Sequence, residues 1–178
     1  MKIIDFSHAA FDQLSLRQWY AISRLRQQVF VVEQACPYLD ADGRDRLAHH
    51  IIGHDHLGHM VAYARIVHPS DQVVPMDKIQ YFTSSEIKTL RSRVASNRSQ
   101  FNIPALGRVV LHPSVRGKGQ GEVLMTYALS CFTTLFPDKP AFVSAQQPLH
   151  DFYFRHGFRQ SGPSYLEDQI PHIPMVMK

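Results

Sequence analysis

Cysteine and tryptophan are scarce in this chain: two cysteines and one tryptophan occur in 178 residues. Cys36 and Cys131 stand far apart and form no CxxC pair, so the spacing carries neither a disulfide framework nor a thiolate zinc site. Reduced thiols in a reducing compartment are the expectation. No apolar run approaches the ~18 residues of a membrane-spanning helix. The first eleven residues interrupt their apolar positions with Asp5 and His8 and lack a signal-peptide core, so a cytoplasmic protein is expected. Nine glycines and eleven prolines are too few for low complexity, and no internal repeat occurs. A formal net charge of +4, with Lys and Arg scattered, is far from a nucleic-acid footprint but suits an anionic cofactor or substrate. With 44% hydrophobic and 19% charged residues, the chain reads as one folded domain over 1–178.

Periodicity supplies the elements. A short strand is expected at 2–6. Ser15 then reads as a helix cap, followed by Leu16, Trp19, Ile22, Leu25 and Val29 on one helical face. Residues 36–46 are rich in Pro, Asp and Gly and read as a loop. Strands are expected at 50–52 and 60–67 around a hairpin turn at 53–58. Residues 71–103 look like an insertion, with a helix from Ser84 or Ser85 to about Ala95. The second half reads as strand 106–111, Gly-rich loop 112–121, helix 122–136, strand 141–144, short helix 150–156 and a last strand near 172–177. That order predicts an α/β (α+β) sheet with at least one parallel crossover.

The loop carries the strongest local signal. Gly117, Gly119 and Gly121 leave backbone N–H groups uncovered just before a helix, whose first turn adds free N–H groups and a positive dipole end. Arg116 and Lys118 add charge, so the segment reads as an anion site. Taken alone, a positively charged surface loop explains it too. A Walker loop is excluded because GxxxxGK[ST] is missing. A Rossmann fingerprint is excluded because Glu122 stands in the third glycine's place and no ribose-binding acid follows.

The remaining pattern, Arg116-x-x-Gly119-x-Gly121, resembles the signature of the Gcn5-related N-acetyltransferase (GNAT) superfamily. Downstream, Tyr153-Phe154-Arg155-His156-Gly157-Phe158 resembles the same superfamily's Tyr-x-x-x-Gly-Phe, in the right order and at a suitable distance. The segments 25–34, 36–40, Asp42-Gly43 and 170–173 resemble its ElaA-like subgroup. The resemblance covers about 14–70 and 104–178. It implies a mixed, mostly antiparallel sheet with helices on both faces, split between 106–111 and 141–144. It also implies acetyl-CoA as co-substrate and no metal. The pantetheine arm would pair with Val109, Val110 and Leu111. The pyrophosphate would meet the amides of Arg116, Gly117, Lys118, Gly119, Gln120 and Gly121, and Gln146 and Phe152 complete the cofactor-binding set.

Acetyl transfer to an amine needs a neutral amine, a polarised thioester carbonyl and a protonated leaving thiolate. Tyr153 is the candidate acid, by the resemblance; an aromatic packing residue is its other reading. Val110 N–H is the candidate for polarising the carbonyl. His172 and Glu33 are candidate bases, with His50, Glu167 or a water chain as further options. Asp40, Asp42 and Asp45 lack the spacing of a Ca²⁺ loop and read as an acidic surface turn able to bind a cationic acceptor. The implied activity is transfer of acetyl to a primary amine of a small molecule or peptide. A non-catalytic acyl-CoA-binding regulatory module and a transferase of longer acyl chains are the alternatives. Neither nucleic acid nor membrane is expected as a partner; residues 71–103 could cover the acceptor pocket or support a homodimer.

Overall fold

The computed structural model describes residues 4–68 and 103–178. The described elements are β1 (Asp5–Ala10), α1 (Leu16–Arg26), β2 (Ala48–His54), β3 (Met60–Val67), β4 (Ala105–Leu111), α2 (Gln120–Leu135), β5 (Ala141–Gln146), α3 (His150–Arg155), β6 (Arg159–Gln160), β7 (Tyr165–Glu167) and β8 (Ile170–Met177). They form one sheet in the order β1-β2-β3-β4-β5-β8-β6, with β7 also paired to β8. Every pairing is antiparallel except β4–β5, which the α2 crossover makes parallel. The first strand begins later than the expected 2–6. The insertion at 71–103 and its helix lie outside the described residues, apart from Ile103.

Side-chain alternation distributes the core to both faces. Ile51, Ala62, Ala64, Leu106, Ala145 and Ile173 pack beneath α2, against Leu124, Met125, Ala128 and Phe132. Their neighbours Ile52, Tyr63 and Val110 point the other way and meet Ile22 and Leu25 of α1 and Val29 of the helical turn that follows it. The start of α1 is fixed by a capping box: Ser15 Oγ accepts from Gln18 N–H (3.2 Å), and Gln18 Oε1 accepts from Ser15 N–H (3.0 Å). The helix does not stop where its apolar periodicity fades. It widens into a π-helix over Gln27–Glu33, a turn type concentrated at functional sites. Both cysteines are free and buried. No described helix is long and apolar enough to cross a membrane.

The acidic turn expected on the surface is instead sewn into the α1 face. Arg26 Nε meets Asp40 Oδ2 at 2.7 Å, and Arg26 Nη1 meets Asp45 Oδ1 at 2.6 Å. From β3, Arg65 bonds Asp45 and Asp42, both at 2.6 Å. From β4, Arg108 Nε bonds Asp40 Oδ1 at 2.7 Å. Arg26, Asp40, Asp45 and Arg65 are all buried. These carboxylates already have cationic partners, which corrects the reading of Asp40, Asp42 and Asp45 as an exposed site for a cationic acceptor. His50 is also committed here. Its Nε2–H donates to Asp45 C=O (2.9 Å), so Nδ1 accepts from Tyr63 OH (2.8 Å). Burial lowers its pKa to about 4, which leaves it neutral and structural.

Removing one partner strands a buried charge, at a cost of about 3–5 kcal/mol. Asp45→Asn is expected to lose about that much in urea unfolding, because Asp45 Oδ1 accepts from both Arg26 and Arg65; a loss below about 1 kcal/mol would contradict the network's role. The acid limb follows from linkage. Despite burial, the guanidinium groups around Asp40 and Asp42 hold both carboxyls below the usual carboxylate range. Their stabilisation is fully present above about pH 4, the unfolded value, and is lost as pH falls below it. Chemical denaturation from pH 6 down to pH 2 should show that loss, with a shallower slope in Asp42→Asn.

Candidate functional site

β4 and β5 are adjacent, yet their only register pair is Ala105 with Phe142. Beyond it the strands part. The cause lies in β4. Tyr63 faces Val110 and Arg65 faces Gly107, so Arg108 and Val109 together oppose Ala64. That bulge twists β4 away from its partner. Arg108 takes φ +53°, a strained conformation for a side chain with a Cβ, and its ion pair with Asp40 helps to hold it there.

The ladder also assigns backbone directions. His112 N–H donates to Val61 C=O at 2.7 Å, in register with the Tyr63–Val110 pair. Alternation therefore turns the Val110 N–H and C=O toward β3 and those of Leu111 toward the gap. Val109, in the bulge, is freed from regular pairing. The Val110 side chain packs under α1, whereas Val109 and Leu111 pack on the α2 side. The gap-facing backbone is thus that of Leu111 and the bulged Val109.

At the C-terminal end of β4 the chain makes a 3₁₀ turn over Pro113–Val115 and enters the glycine loop. Gly117 and Gly119 both sit at φ +70°, and no described atom lies within 4 Å of where their Cβ would be. Gly119 is the N-cap of α2. Open space above uncovered amides at a helix N-terminus is what an oxyanion needs. Gly121 differs: its Cβ would meet Phe152 at 3.5 Å, so it allows α3 to approach α2.

The basic side chains of the loop do not reach over that space. Arg116 Nε donates to Leu111 C=O (2.9 Å), and its Nη1 and Nη2 grip Glu33 at 2.5 and 3.0 Å. Lys118 Nζ donates to Ser114 C=O (3.3 Å), and Gln120 Nε2 to Lys118 C=O (3.2 Å). Glu33, an expected base, is therefore the outer half of a bidentate pair. The Arg116 hydrogen bonds hold its carboxyl below the usual range.

Phe152 and Tyr153 of α3 lie beside the loop on the α2 face. Tyr153 is buried against Phe158 and Phe152, at ring separations of 5.8 and 5.2 Å. Burial alone pushes its phenol well above the usual tyrosine value, and among the described residues its hydroxyl has no hydrogen-bond partner. A protonated, unengaged hydroxyl suits a proton donor. Gly157, at φ +90°, then turns the chain so that Phe158 fills the core.

His172 faces the opposite way. It pairs with Gln146 on β5 and with Tyr165 on β7. Its Nδ1 lies 2.8 Å from Ile170 C=O, so Nδ1 is the donor and, in the neutral ring, Nε2 has the lone pair. Gln146 Nε2 donates to Gln34 Oε1 (3.2 Å), joining β5 to the end of the π-helix. Beside them stands a group that the earlier expectations named only through Glu167. Ser144 Oγ donates to Glu167 Oε2 (2.8 Å) and lies 2.6 Å from Tyr165 OH. Sequence separations of 21 and 23 residues hid it; the only sequence signal was a polar residue between core neighbours inside the strand. A cleft of about 510 Å³ opens elsewhere, between α1 and the β2–β3 turn, and reaches the loop only through His112 and Ser114. No group of His, Cys, Asp and Glu among the described residues could hold a metal.

Two acetyltransferase (GNAT) domain families match the chain, one over residues 82–178 and the other over residues 25–126. The ElaA protein of Escherichia coli is 35% identical over 176 residues, covering 98% of this chain and 96% of ElaA. The crystal structure of Escherichia coli ElaA superposes with a TM-score of 0.77 at 34% identity, over 99% of this chain and 100% of that one. An acyl-CoA N-acyltransferase from Pseudomonas aeruginosa superposes with a TM-score of 0.76 at 33% identity, over 98% and 99% of the two chains.

The loop geometry makes a direct prediction. Gly117→Ala and Gly119→Ala meet no steric obstacle among the described atoms, yet each must adopt left-handed backbone. Each should cost about 1–2 kcal/mol in thermal or urea unfolding. A neutral result would mean that the loop does not hold this conformation.

Proposed function

Because this chain belongs to the GNAT acetyltransferases, in their ElaA-like subgroup, we propose that it transfers an acetyl group from acetyl-CoA to a primary amine by direct attack in a ternary complex. The observation that carries this reading is the parting of β4 from β5 after one residue pair, with the open amides of Gly117 and Gly119 at one end of the gap. The strands leave a slot lined by backbone, and the helix N-terminus supplies an anion site where a pyrophosphate would need it.

In this reading the pantetheine arm takes the place of the missing strand pairing, using the gap-facing backbone of Val109 and Leu111. Val110 contributes through its buried side chain, and polarisation of the thioester carbonyl passes to the Val109 or Leu111 N–H. The amides from Arg116 to Gly121 bind the pyrophosphate, while Arg116 holds the loop through Glu33 and Leu111. Glu33 becomes a positioning residue, since a carboxylate gripped by Arg116 is a poor proton acceptor. Gln146 and Phe152 flank the slot on the β5 and α3 sides.

The amine, neutral when it reacts, approaches from the α1 face and attacks the thioester carbonyl, and the N–H proton that the adduct must lose passes to the His172 Nε2 lone pair. Collapse of the adduct expels the thiolate, and Tyr153 protonates it from the α2 face. A Tyr153 phenol kept protonated by burial, with no hydrogen-bond partner among the described residues, favours a catalyst over a passive acyl-CoA binder. The acceptor is a small-molecule or peptide amine, and the setting is the cytoplasm.

Saturating acetyl-CoA should stabilise the fold by about 2.7 kcal/mol at a hundredfold excess over Kd, read as a rise in Tm. Gly119→Glu should remove the rise; an undiminished rise would place the donor elsewhere. Thiol release should appear with at least one member of a panel of polyamines, amino acids and peptides. Tyr153→Phe should lower kcat by about a hundredfold with KM for acetyl-CoA nearly unchanged. Equal kcat in the two proteins would remove Tyr153 from the chemistry.

A further inference from the structure

Three hydroxyl or carboxyl groups on the α1 face form a directed chain. Glu167 is exposed, and a carboxylate can only accept. Ser144 has one hydroxyl proton and gives it to Glu167 Oε2 at 2.8 Å. Tyr165 OH, 2.6 Å from Ser144 Oγ, must then donate to Ser144. With Ser144 donating to Glu167, the order runs Tyr165 O–H to Ser144 O–H to Glu167 carboxylate, and the Tyr165 hydroxyl is also within hydrogen-bonding reach of Glu167 itself. A lone pair on the Tyr165 oxygen remains to accept one more hydrogen bond.

The chain is also well placed. Ser144 and Gln146 point to the same face of β5, the strand that borders the gap. Tyr165 reaches Ser144 from β7, across β8, and its ring lies nearly parallel to that of His172 (28°, centroids 6.2 Å apart). Tyr153 belongs to the core on the opposite face. A proton donor for the leaving thiolate and this chain therefore flank the gap from opposite sides. The outer end, Glu167, opens to water, with Arg44 as its cationic neighbour. Burial also raises the Tyr165 phenol above its ordinary value, which keeps the inner group protonated.

We propose that Tyr165, Ser144 and Glu167 are a proton relay that deprotonates a cationic alkylammonium acceptor. The inference rests on the acetyl-transfer reading and names its acceptor class: an amine that arrives protonated. The ammonium N–H gives its proton to the Tyr165 oxygen as the Tyr165 hydroxyl proton passes to Ser144 Oγ and the Ser144 proton passes to Glu167 Oε2. One N–H bond breaks and one O–H bond forms in net. The ammonium becomes a neutral amine, the carboxylate becomes a carboxylic acid, and water then takes the proton from Glu167. Tyr165 touches the acceptor. Ser144 and Glu167 act through it, and His172 orients the Tyr165 ring.

The test compares two nucleophiles with acetyl-CoA near neutral pH. Hydroxylamine is already neutral there, whereas the best alkylamine of the panel is protonated. For Glu167→Gln and Tyr165→Phe, the ratio of alkylamine to hydroxylamine kcat/KM should fall about a hundredfold, the scale of general base catalysis. The acetyl-CoA-induced rise in Tm serves as the check on folding. Loss of both rates in equal proportion, or no loss, would overturn the relay. So would a ratio that falls in His172→Gln but not in Glu167→Gln, which would leave His172 as the base. Wild-type protein that releases thiol with neither nucleophile would overturn the acetyl-transfer reading itself, and the relay with it.

Discussion

Strands β4 and β5 run parallel and adjacent, yet they meet only at Ala105 and Phe142. Two strand edges that part inside a sheet leave backbone N–H and C=O groups needing partners. The cost is tolerable when water, or a ligand with its own amides, fills the gap. The bulge at Arg108 and Val109 produces the parting, and the α2 crossover delivers the glycine loop to the end of the gap. The site depends on that one departure from regular pairing.

A gap in the middle of a sheet needs walls that do not collapse into it. The ion-pair network on the α1 face supplies one. Arg26, Arg65 and Arg108 come from α1, β3 and β4, and all converge on the 40–45 turn. An apolar core could also fill that volume, but it would not fix direction. Charge-assisted hydrogen bonds to Asp40, Asp42 and Asp45 set the height of the turn and hold Arg108 in its strained conformation. The bidentate Glu33–Arg116 pair ties the end of the π-helix to the glycine loop, and Gln34–Gln146 ties it to β5. Both sides of the gap are thereby referred to one rigid element.

Much of this was legible in the sequence where the signal is local. The strand at 60–67 was readable to the residue, because a largely apolar run, broken only by Arg65, follows a Gly turn. The helix after the glycine loop, the turn at Gly157 and the family itself followed from short patterns with fixed spacing. What escaped was non-local. The π-helical extension has no periodicity of its own. Asp40, Asp42 and Asp45 looked solvated because their partners lie 14 to 68 residues away. Ser144 passed as a strand residue, because Tyr165 and Glu167 reach it only after the chain has returned through β7. Val110 illustrates a subtler limit. Its place on β4 was evident, but which way its N–H points depends on ladder parity and the bulge.

The central claim is that acetyl-CoA lies in the gap between β4 and β5 with its pyrophosphate over the glycine loop. Amide hydrogen exchange with and without acetyl-CoA tests it most directly. The account predicts added protection at Val109 and Leu111 and across Gly117–Gly121, with little change in the cleft between α1 and the β2–β3 turn. Protection confined to that cleft, or none along β4 and the loop, would contradict it.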